Sequence, residues 1–228
     1  MVEDHGVGAV AGSCAVVLPC RDEAAALRLL LPRMPSGLTV VVVDNGSSDG
    51  TADAARAAGV RVVAEPRPGY GAAVHAGVLA AEAELVAVMD ADGSFDPLDL
   101  APLMAEVRSG RATMAVGRRR PVRRGVWPWH ARLGNWAVVT WLRRRAGFPL
   151  HDLAPMRVCR RDDLLALGVE DRRFGYPLEL MQRASAAGWV LAEFDVDYHP
   201  RTAGTRSKVS GSVRGSLRVA RDFAAVLR

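Results

Sequence analysis

Short runs of apolar, mostly β-branched residues alternate with alanine- and leucine-rich segments through the first half of the chain. The runs have the length of buried strands, and the segments between them carry apolar residues at helical spacing. Strands that alternate with helices at this pitch form right-handed βαβ units and a mostly parallel sheet. The sequence therefore predicts an α/β fold whose sheet is flanked by helices, with strands over 14–18, 40–44, 60–64 and 85–89 and helices over 23–31, 51–58, 72–83 and 98–107.

The second half of the chain lacks this alternation. Residues 117–125 are rich in arginine and are predicted to form a loop, and residues 127–142 are rich in tryptophan. Farther on, we predict a helix over 178–187, a strand over 189–198 and, after a basic loop, an amphipathic C-terminal helix. The chain has 228 residues, half of them hydrophobic, and can bury a core without disulfides or a structural metal. We therefore predict one domain over 1–228.

The charge of the chain indicates which partners it can bind, and its cysteine content indicates the compartment in which it works. Lys+Arg number 30 against 25 Asp+Glu, and the isoelectric point is near 9.7. Such a chain suits a phosphorylated substrate or an anionic membrane surface, although an arginine-rich genome would have the same effect. No recognised nucleic-acid-binding signature is present, so we predict no nucleic-acid partner. Three cysteines without a C-x-x-C pair, an acidic start and the lack of an apolar run of about 20 residues favour a cytoplasmic protein that does not cross a membrane by itself.

Two carboxylates directly follow the predicted strand 85–89. In extended chain Asp90 and Asp92 point to the same side, at the strand end where open parallel sheets bind ligands. Paired carboxylates supply the hard oxygen ligands that Mg²⁺ or Mn²⁺ prefers, and such an ion bridges a diphosphate. The alternative is an aspartate-rich turn that only caps the helix after Asp96.

The first and second predicted strands are also followed by polar groups. Glu23 follows the first strand through a turn that contains Pro19, and Asp44 begins a turn cluster, 44–51, after the second strand. Because the carboxyl ends of parallel strands share one edge of a sheet, Glu23, Asp44 and Asp90 should gather at one rim. A carboxylate after the second strand is placed to accept a hydrogen bond from a nucleobase or ribose. The glycines of the turn would let the backbone approach a ligand.

In this order and spacing, the motifs resemble those of family 2 glycosyltransferases, which have the GT-A fold of nucleotide-diphospho-sugar transferases. The resemblance over residues 14–97 rests on four motifs, at 17–23 (VLPCRDE), 43–51 (VDNGSSDGT), 69–73 (GYGAA) and 89–94 (MDADGS). A dehydrogenase with a dinucleotide site is disfavoured, because its glycine turn would directly follow the first strand, where Pro19 and Glu23 stand instead.

The resemblance extends to about residue 210, toward the branch that makes polyprenyl-phosphate sugars. The motifs that carry this extension are Gly117-Arg-Arg119, Asp152 with Pro155-Met-Arg157, Glu179-Leu, and Arg201 with Gly204 and Ser207-Lys208. The chain departs from the family pattern at three places: Asp22 in place of Asn, Asn45 in place of a second Asp, and Pro155-Met156 in place of Gly-Phe.

The resemblance implies a division of the chain and a role for each motif. The nucleotide-sugar half would span 12–117, the acceptor half 118–200, and a basic loop with an amphipathic helix 201–228. The residues implied to bind the nucleotide sugar are Pro19, Glu23, Asp44, Gly46, Gly71, Asp90, Ala91 and Asp92, with Asp90 and Asp92 holding Mg²⁺ or Mn²⁺. The implied catalytic residues are Asp92, Asp152, Glu179 and Arg119, and the implied ligands of the acceptor phosphate are Arg119, Arg201, Ser207 and Lys208.

The resemblance also implies a metal-dependent, inverting transfer of a sugar from a UDP- or GDP-linked donor to a polyprenyl phosphate at the inner face of the cell membrane. An anionic lipid phosphate needs cations to position it, whereas a soluble hydroxyl acceptor, the first alternative, would need a base such as Glu179 or Asp152. A non-catalytic sugar-nucleotide-binding module is the second alternative. Arginines beside the tryptophans of 127–142, together with the amphipathic tail, would suit an anionic membrane surface, unless both segments simply pack on the sheet.

Overall fold

The structure is a computed structural model, and it describes residues 10–147, 149–203, 221–223 and 225–226. Within those residues, one seven-stranded sheet is flanked by helices, which confirms the predicted α/β fold. The strands are β1 (Val10–Cys20), β2 (Leu38–Asp44), β3 (Arg61–Ala64), β4 (Ala83–Val88), β5 (Met114–Pro121), β6 (Met156–Arg160) and β7 (Leu191–Tyr198). The helices are α1 (Ala24–Leu30), α2 (Thr51–Ala57), α3 (Tyr70–Ala80), α4 (Leu100–Arg108), α5 (Trp129–Ala146), α6 (Arg161–Ala166) and α7 (Tyr176–Ala186).

The order of the strands across the sheet is β3-β2-β1-β4-β6-β5-β7. Neighbouring strands pair in parallel except at β6, which runs antiparallel to both β4 and β5. β1 and β2 pair in a register that sets Cys20 opposite Asp44. Their carboxyl ends therefore reach the same edge of the sheet, which is where parallel sheets bind ligands.

Helices cover both faces of the sheet and form two apolar layers. α1, α2 and α4 pack on one face through residues such as Leu27 and Leu103. α3, α5, α6 and α7 pack on the other face through residues such as Val74 and Leu142. β1 and β2 are covered on both sides, and this is why their sequences are nearly continuous apolar runs.

The loop predicted over 117–125 is wrong for its first half, because β5 continues through Pro121. Arg118 and Arg120 of this strand lie beside Asp195 of the parallel neighbour β7, and Arg120 Nε is 2.8 Å from Asp195 Oδ2. Opposite charges on adjacent strands therefore permit an extended conformation in a run of arginines. The tryptophan-rich segment that follows is part of α5, which ends at Gly147 with a left-handed φ of 69°.

Besides β5, the elements β6 and α6 of the second half were not predicted from the sequence. β6 has five residues, and Arg157 and Arg160 interrupt its apolar pattern. Arg157 is nevertheless only 2 % exposed, so the strand is buried where its sequence is charged. Because buried charged residues are rare, an analysis of hydrophobic periodicity assigns an arginine to the solvent-facing side of an element.

Some sequence predictions concern residues outside the described ranges, namely Gly204, Ser207, Lys208 and most of the amphipathic C-terminal helix. In the described part of the chain, no helix combines the length and the apolar character that crossing a bilayer requires. The three cysteines are buried and free, as the lack of a disulfide pattern predicts.

Candidate active site

A cleft of about 930 Å³ lies at the carboxyl edge of the sheet. Its walls include the segments that follow β1, β2 and β4 and the segments that precede β6 and α7. A volume of this size is typical of a small-molecule or cofactor site. Among the predicted site residues, the cleft is lined by Pro19, Glu23, Asp90, Ala91, Asp92 and Arg201.

The acidic pair lies directly beyond the end of β4. Asp92 is 1 % exposed, its Oδ1 accepts a hydrogen bond from the Ser94 N–H at 2.9 Å, and its Oδ2 is 2.8 Å from Arg201 Nη1. Asp90 accepts no hydrogen bond from any described residue. Burial and the neighbouring charge of Asp92 raise the pKa of Asp90 to about 6. The pair is therefore a concentration of negative charge that the protein compensates only in part.

These two carboxylates fit a divalent cation. Each oxygen of Asp92 has a lone pair beyond the bond already made, and Asp90 has both of its oxygens available. Among the described residues, no three His, Cys, Asp or Glu side chains gather as a metal cage. Mg²⁺ is commonly held by one or two carboxylates together with substrate phosphates and water. The pair thus suits an ion whose remaining ligands come from a diphosphate.

Arg201 reaches the acidic pair because the chain after β7 folds back onto the turn that follows Asp92. The His199 N–H donates to the Ser94 carbonyl at 3.0 Å, and the Thr202 N–H donates to the Asp92 carbonyl at 2.9 Å. Burial would lower the pKa of Arg201, but the charges of Asp92 and Asp90 outweigh it and raise this pKa. Arg201 therefore remains a cation at the place where a phosphate would meet the acidic pair.

Hydrogen bonds tie the turn after β1 to the turn after β2. The Glu23 N–H donates to Thr51 Oγ1 at 2.9 Å, and this bond fixes Glu23 at the cleft wall. Asp44 Oδ1 accepts a hydrogen bond from the Ser47 N–H at 3.0 Å, which closes the second turn. Neither Asp44 nor Gly46 is among the described residues that line the cleft. Their contact with a nucleotide stays a prediction.

Asn45 is the residue of the second turn that does line the cleft. Its Oδ1 accepts a hydrogen bond from the Gly69 N–H at 2.9 Å, and its Nδ2 donates to the carbonyls of Glu65 and Arg67 at 2.9 and 2.7 Å. The side chain of an aspartate at this position would have no N–H to donate to these two carbonyls. The departure from the family pattern therefore fastens the segment before α3 to the cleft wall.

Gly71 packs against protein in this structure. Its N–H donates to the Arg173 carbonyl at 3.0 Å. A Cβ at this position would lie 2.6 Å from the Asp171 carbonyl oxygen and 2.8 Å from Tyr176 Cβ. The glycine is thus needed for close approach of α3 to the segment before α7, and Gly69 is the glycine that lines the cleft.

Arg119 and Asp152 form a buried ion pair beside the cleft. Asp152 is 1 % exposed and accepts three hydrogen bonds from Arg119: from the backbone N–H at 2.9 Å, from Nε at 2.9 Å and from Nη2 at 2.6 Å. The guanidinium also stacks 4.0 Å from the ring centroid of Trp127. Burial would lower the pKa of Arg119, but Asp152 outweighs it and raises this pKa. The pair therefore fixes one oriented positive charge.

A second cavity, of about 320 Å³, lies between β5 and α5 and includes this ion pair. It contrasts with the first cleft because cations dominate its lining. The charged and aromatic residues that line it are Arg118, Arg119, Arg120, Trp127, Arg132, Trp136, Arg143, His151 and Asp152. Its composition suits a phosphate group.

Glu179, which was predicted as a catalytic base, makes contacts that stabilise the segment before α7. Its carboxylate accepts hydrogen bonds from the N–H groups of Glu170 and Asp171 at 3.0 and 2.6 Å and from Arg183 Nε at 2.6 Å. Burial raises the pKa of Glu179, but these hydrogen bonds and Arg183 outweigh it and lower the pKa overall. A carboxylate stabilised in its charged form is a weak base, and Glu179 is not among the described residues that line the cleft.

We expect Glu179→Gln to lower the free energy of unfolding at pH 7 by about 1–3 kcal/mol, because hydrogen bonds to a charged acceptor are replaced by weaker ones. The folded-state pKa lies below the ordinary value, so this stabilisation is present above about pH 4.3 and is lost as the pH falls through the folded-state value. Urea denaturation at pH 7 and pH 3 should show the difference shrinking at the lower pH. A large loss of turnover with unchanged stability would instead give Glu179 a catalytic role.

The cleft also contains charged residues to which the sequence analysis gave no role, chiefly Arg157, Arg173 and Asp222. Arg157 belongs to one of the matched motifs, and this membership is the signal in the sequence that could have given it a role. Asp222 comes from the C-terminal segment, and no feature of the sequence indicates that it would reach the cleft. Tyr70 lines the same cleft at the start of α3.

The mostly parallel sheet, with an acidic pair at the end of β4 and a cation-rich cavity beside it, is typical of α/β proteins that bind their ligands at the carboxyl ends of the strands. The chain belongs to glycosyl transferase family 2, whose profile matches residues 15–161. The predicted family and fold are therefore confirmed, and the protein is a glycosyltransferase.

Several relatives are similar over most of this chain. An uncharacterized glycosyltransferase of Mycobacterium tuberculosis is 57 % identical over 209 residues, which cover 91 % of this chain and 94 % of that protein. The undecaprenyl-phosphate mannosyltransferase of Micrococcus luteus is 31 % identical over 87 % of this chain and 88 % of its own. The dolichyl-phosphate hexose transferase of Haloferax volcanii is 30 % identical over 84 % of this chain and 85 % of its own.

Solved structures share the fold at lower identity. Glucosyl-3-phosphoglycerate synthase from Mycobacterium tuberculosis, in complex with Mn²⁺, UDP and glucosyl-3-phosphoglycerate, has a TM-score of 0.72 at 23 % identity, over 94 % of this chain and 78 % of that one. The same enzyme with Mg²⁺ and UDP has a TM-score of 0.74 at 21 % identity, over the same shares of the two chains. At this identity the likeness establishes the fold.

Proposed function

We propose that the chain is a metal-dependent, inverting glycosyltransferase that moves a sugar from a UDP- or GDP-linked donor to a polyprenyl phosphate at the inner face of the cell membrane. The observation that supports this most strongly is the oriented guanidinium of Arg119, held by Asp152 in a cavity lined with arginines. Relatives whose names specify lipid-phosphate acceptors, 31 % and 30 % identical to this chain, support the same choice of acceptor.

The donor is proposed to occupy the larger cleft. Pro19, Glu23 and Asn45 would face the nucleoside, and Asp90 with Asp92 would hold Mg²⁺ or Mn²⁺. Such an ion, when bound, neutralises the negative charge that develops on the leaving diphosphate. Proteins of this fold have been solved with UDP and either metal, which supports this choice of ligands.

The acceptor phosphate is proposed to bind at Arg119 and Arg201. A phosphate group is already anionic at neutral pH, so its attack on the sugar needs positioning more than removal of a proton. Asp152 is engaged by three hydrogen bonds from Arg119 and acts as a positioning residue. Attack from the face opposite the diphosphate inverts the anomeric carbon. Ser207 and Lys208, outside the described residues, stay predicted contacts of the same phosphate.

The surface of α5 supports a membrane location for this reaction. Trp129, Leu133 and Trp136 are 75 %, 55 % and 64 % exposed, respectively, and arginines 143–145 follow on the same helix. Exposed tryptophans beside arginines are typical of helices that lie among anionic headgroups. The cavity proposed for the acceptor phosphate is lined by this helix. A lipid phosphate could therefore reach Arg119 from the membrane.

We expect Trp129→Ser combined with Trp136→Ser to weaken binding to phosphatidylglycerol vesicles about tenfold or more, because two large apolar side chains leave the interface. Co-sedimentation measures the binding, and added salt should weaken that of the unmodified protein. Leu98→Ser is the matched control, since Leu98 is 63 % exposed on the opposite face of the sheet, before α4. Failure of the unmodified protein to bind these vesicles at low salt would contradict the membrane location.

A soluble hydroxyl acceptor is the second candidate, and Asp222 favours it. This side chain lines the cleft, is 5 % exposed, and its Oδ2 accepts no hydrogen bond from the described residues. Such a carboxylate is available as a base, unlike Asp152. A neighbour of the same fold was solved with phosphoglyceric acid, which supports a small acceptor for this fold.

The deciding experiment compares acceptors. The purified protein is incubated with Mn²⁺ and labelled UDP- or GDP-sugars, and with undecaprenyl phosphate, a soluble alcohol or phosphoglyceric acid in parallel. We expect the polyprenyl phosphate to be glycosylated fastest, with Asp222→Asn leaving that rate nearly unchanged. Faster transfer to a hydroxyl, lost in Asp222→Asn, would replace the lipid proposal with the second candidate.

A further inference from the structure

Arg157 is a buried cation at the floor of the larger cleft. It belongs to β6, where it pairs with Val88 of β4 on one side and with Val116 of β5 on the other. It is 2 % exposed and lines the cleft, and its pairing partner Val88 precedes Asp90 by two residues. A charge so far removed from water is costly unless it has a partner.

Arg157 differs from Arg119 and Arg201 because it has no carboxylate partner among the described residues. Arg119 lies 2.6 Å from Asp152, and Arg201 lies 2.8 Å from Asp92. No carboxylate among the described residues lies within ion-pair distance of Arg157, and its Nε and Nη1 find no hydrogen-bond partner there. Two of its three nitrogens are therefore unsatisfied in the protein without ligand, although such groups are nearly always satisfied in folded proteins.

Tyr70 holds the remaining nitrogen in place. Its Oη accepts a hydrogen bond from Arg157 Nη2 at 2.7 Å, with the guanidinium 6.0 Å from the ring centroid. Tyr70 is itself fixed, because the preceding Gly69 is bonded to Asn45 and the following Gly71 to the Arg173 carbonyl. The guanidinium is thus oriented in advance, while its Nε and Nη1 are buried and have no hydrogen-bond partner among the described residues.

The cleft places Arg157 close to the acidic pair. Asp90 follows Val88, the pairing partner of Arg157, by only two residues, and both carboxylates line the same cleft as Arg157. An anion bound at Asp90 and Asp92 through a cation would therefore lie within the influence of Arg157. The N–H groups of Gly71 and Ala72 in the first turn of α3 are not available for this purpose, since they donate to the carbonyls of Arg173 and Arg172.

We propose that the positive charge of Arg157, oriented by Tyr70, helps to bind the nucleotide diphosphate of the donor. The inference rests on the proposed function in taking the donor to be a nucleotide diphosphate sugar. It adds Arg157 to the donor site. The buried charge of this residue would gain an anionic partner only when the ligand is bound. Arg157 and Arg119, on adjacent strands, then serve the leaving group and the acceptor, respectively.

Calorimetric titration of the full chain with UDP, GDP, uridine, guanosine and pyrophosphate, in the presence of Mg²⁺, tests the proposal. We expect Arg157→Met to weaken diphosphate binding about 10- to 100-fold and to leave the affinity for the matching nucleoside unchanged. Arg157→Lys should recover part of the loss, and guanidinium ion should recover part of it in Arg157→Ala. Tyr70→Phe should lose less than Arg157→Met, because it only frees the guanidinium to rotate.

Arg161→Met is the matched control, because Arg161 is a partly buried arginine that donates to the Val78 carbonyl at 3.0 Å and lies outside the cleft lining. If Arg157→Met does not fold, Arg157→Lys decides the same question. Diphosphate binding that is unchanged in the folded variant would overturn the role of Arg157 and leave the proposed function standing. Equal losses for nucleoside and diphosphate would reduce Arg157 to a structural residue. If the unmodified protein binds none of the diphosphates, the proposed function fails as well.

Discussion

Asp92→Asn is expected to abolish sugar transfer, with a loss on the order of a thousandfold or more, because a neutral amide cannot replace an anionic ligand of a divalent cation. The Ser94 N–H can still donate to the amide oxygen, so the turn should keep its shape. Asp90→Asn is expected to lower transfer by about a hundredfold and to retain or raise the melting temperature, because it removes a charge that burial disfavours. Initial rates with saturating donor and Mn²⁺ measure both effects.

The matched control is Asp53→Asn, since the Asp53 side chain is 83 % exposed and pairs with Arg56 on the surface. Binding of Mn²⁺ in the presence of nucleotide diphosphate, followed by electron paramagnetic resonance, provides a readout other than turnover. Loss of Mn²⁺ binding in Asp92→Asn would agree with the proposed metal site. Near-normal turnover in both variants, or full activity in a chelator, would remove the metal from the proposal.

Arg119→Met is expected to reduce transfer to a polyprenyl phosphate by about a thousandfold, and Arg119→Lys by about a hundredfold. An ammonium group cannot bind Asp152 through two nitrogens and also present a fork to a phosphate. Donor affinity should change little, because Arg119 lines the second cavity rather than the donor cleft. Steady-state kinetics with varied acceptor and a titration with nucleotide diphosphate separate the two effects.

Stability needs its own measurement in these variants, because Arg119→Met leaves the buried Asp152 carboxylate without its partner and should cost about 3–5 kcal/mol. Arg119→Lys keeps the charge and therefore carries the test if the first variant unfolds. Arg111→Met is the control, since Arg111 pairs with Glu106 on the surface and its side chain is 63 % exposed. Unchanged turnover in a folded Arg119→Lys protein would show that the Arg119–Asp152 ion pair does not bind the acceptor.

The sequence predicts the first half of the fold well because local pattern and tertiary environment agree there. β1 and β2 are buried on both faces, so their apolar runs are continuous and their ends are marked by polar turns. The parallel order of these strands then determines that their carboxyl ends share one edge. Glu23, Asp90 and Asp92 follow from that rule and do line the cleft.

The second half is less predictable because its charges are satisfied by residues distant in the sequence. Arg118 and Arg120 of β5 lie beside Asp195 of β7, and the buried Arg157 donates a hydrogen bond to Tyr70 of α3. In each case a charged residue is interpreted as facing solvent as long as its partner in the fold is not known. The polar turns show the same limit, since Asn45 bonds to backbone 20–24 residues away.

Motif membership also does not separate ligand contacts from packing. Gly71 and Glu179 belong to matched motifs, yet their immediate partners are the Asp171–Tyr176 segment and the backbone before α7. A glycine needed for close approach of two backbones and one needed beside a ligand look alike in a sequence. Only the neighbouring atoms distinguish them.

The reversed direction of β6 has a consequence for how this enzyme can diverge. Because the strand begins at the cleft edge, only four residues separate Asp152, which lines the cation-rich cavity, from Arg157, which lines the larger cleft. The pairing of Arg157 with Val88 and Val116 anchors the second residue in the sheet, while the segment that carries the first is irregular chain. Leu153 and Pro155 of this segment line the larger cleft, whereas His151 and Asp152 line the cavity proposed for the acceptor. Replacements at the first two residues of the segment 151–155 can therefore reshape the proposed acceptor cavity while Arg157 keeps its register in the sheet.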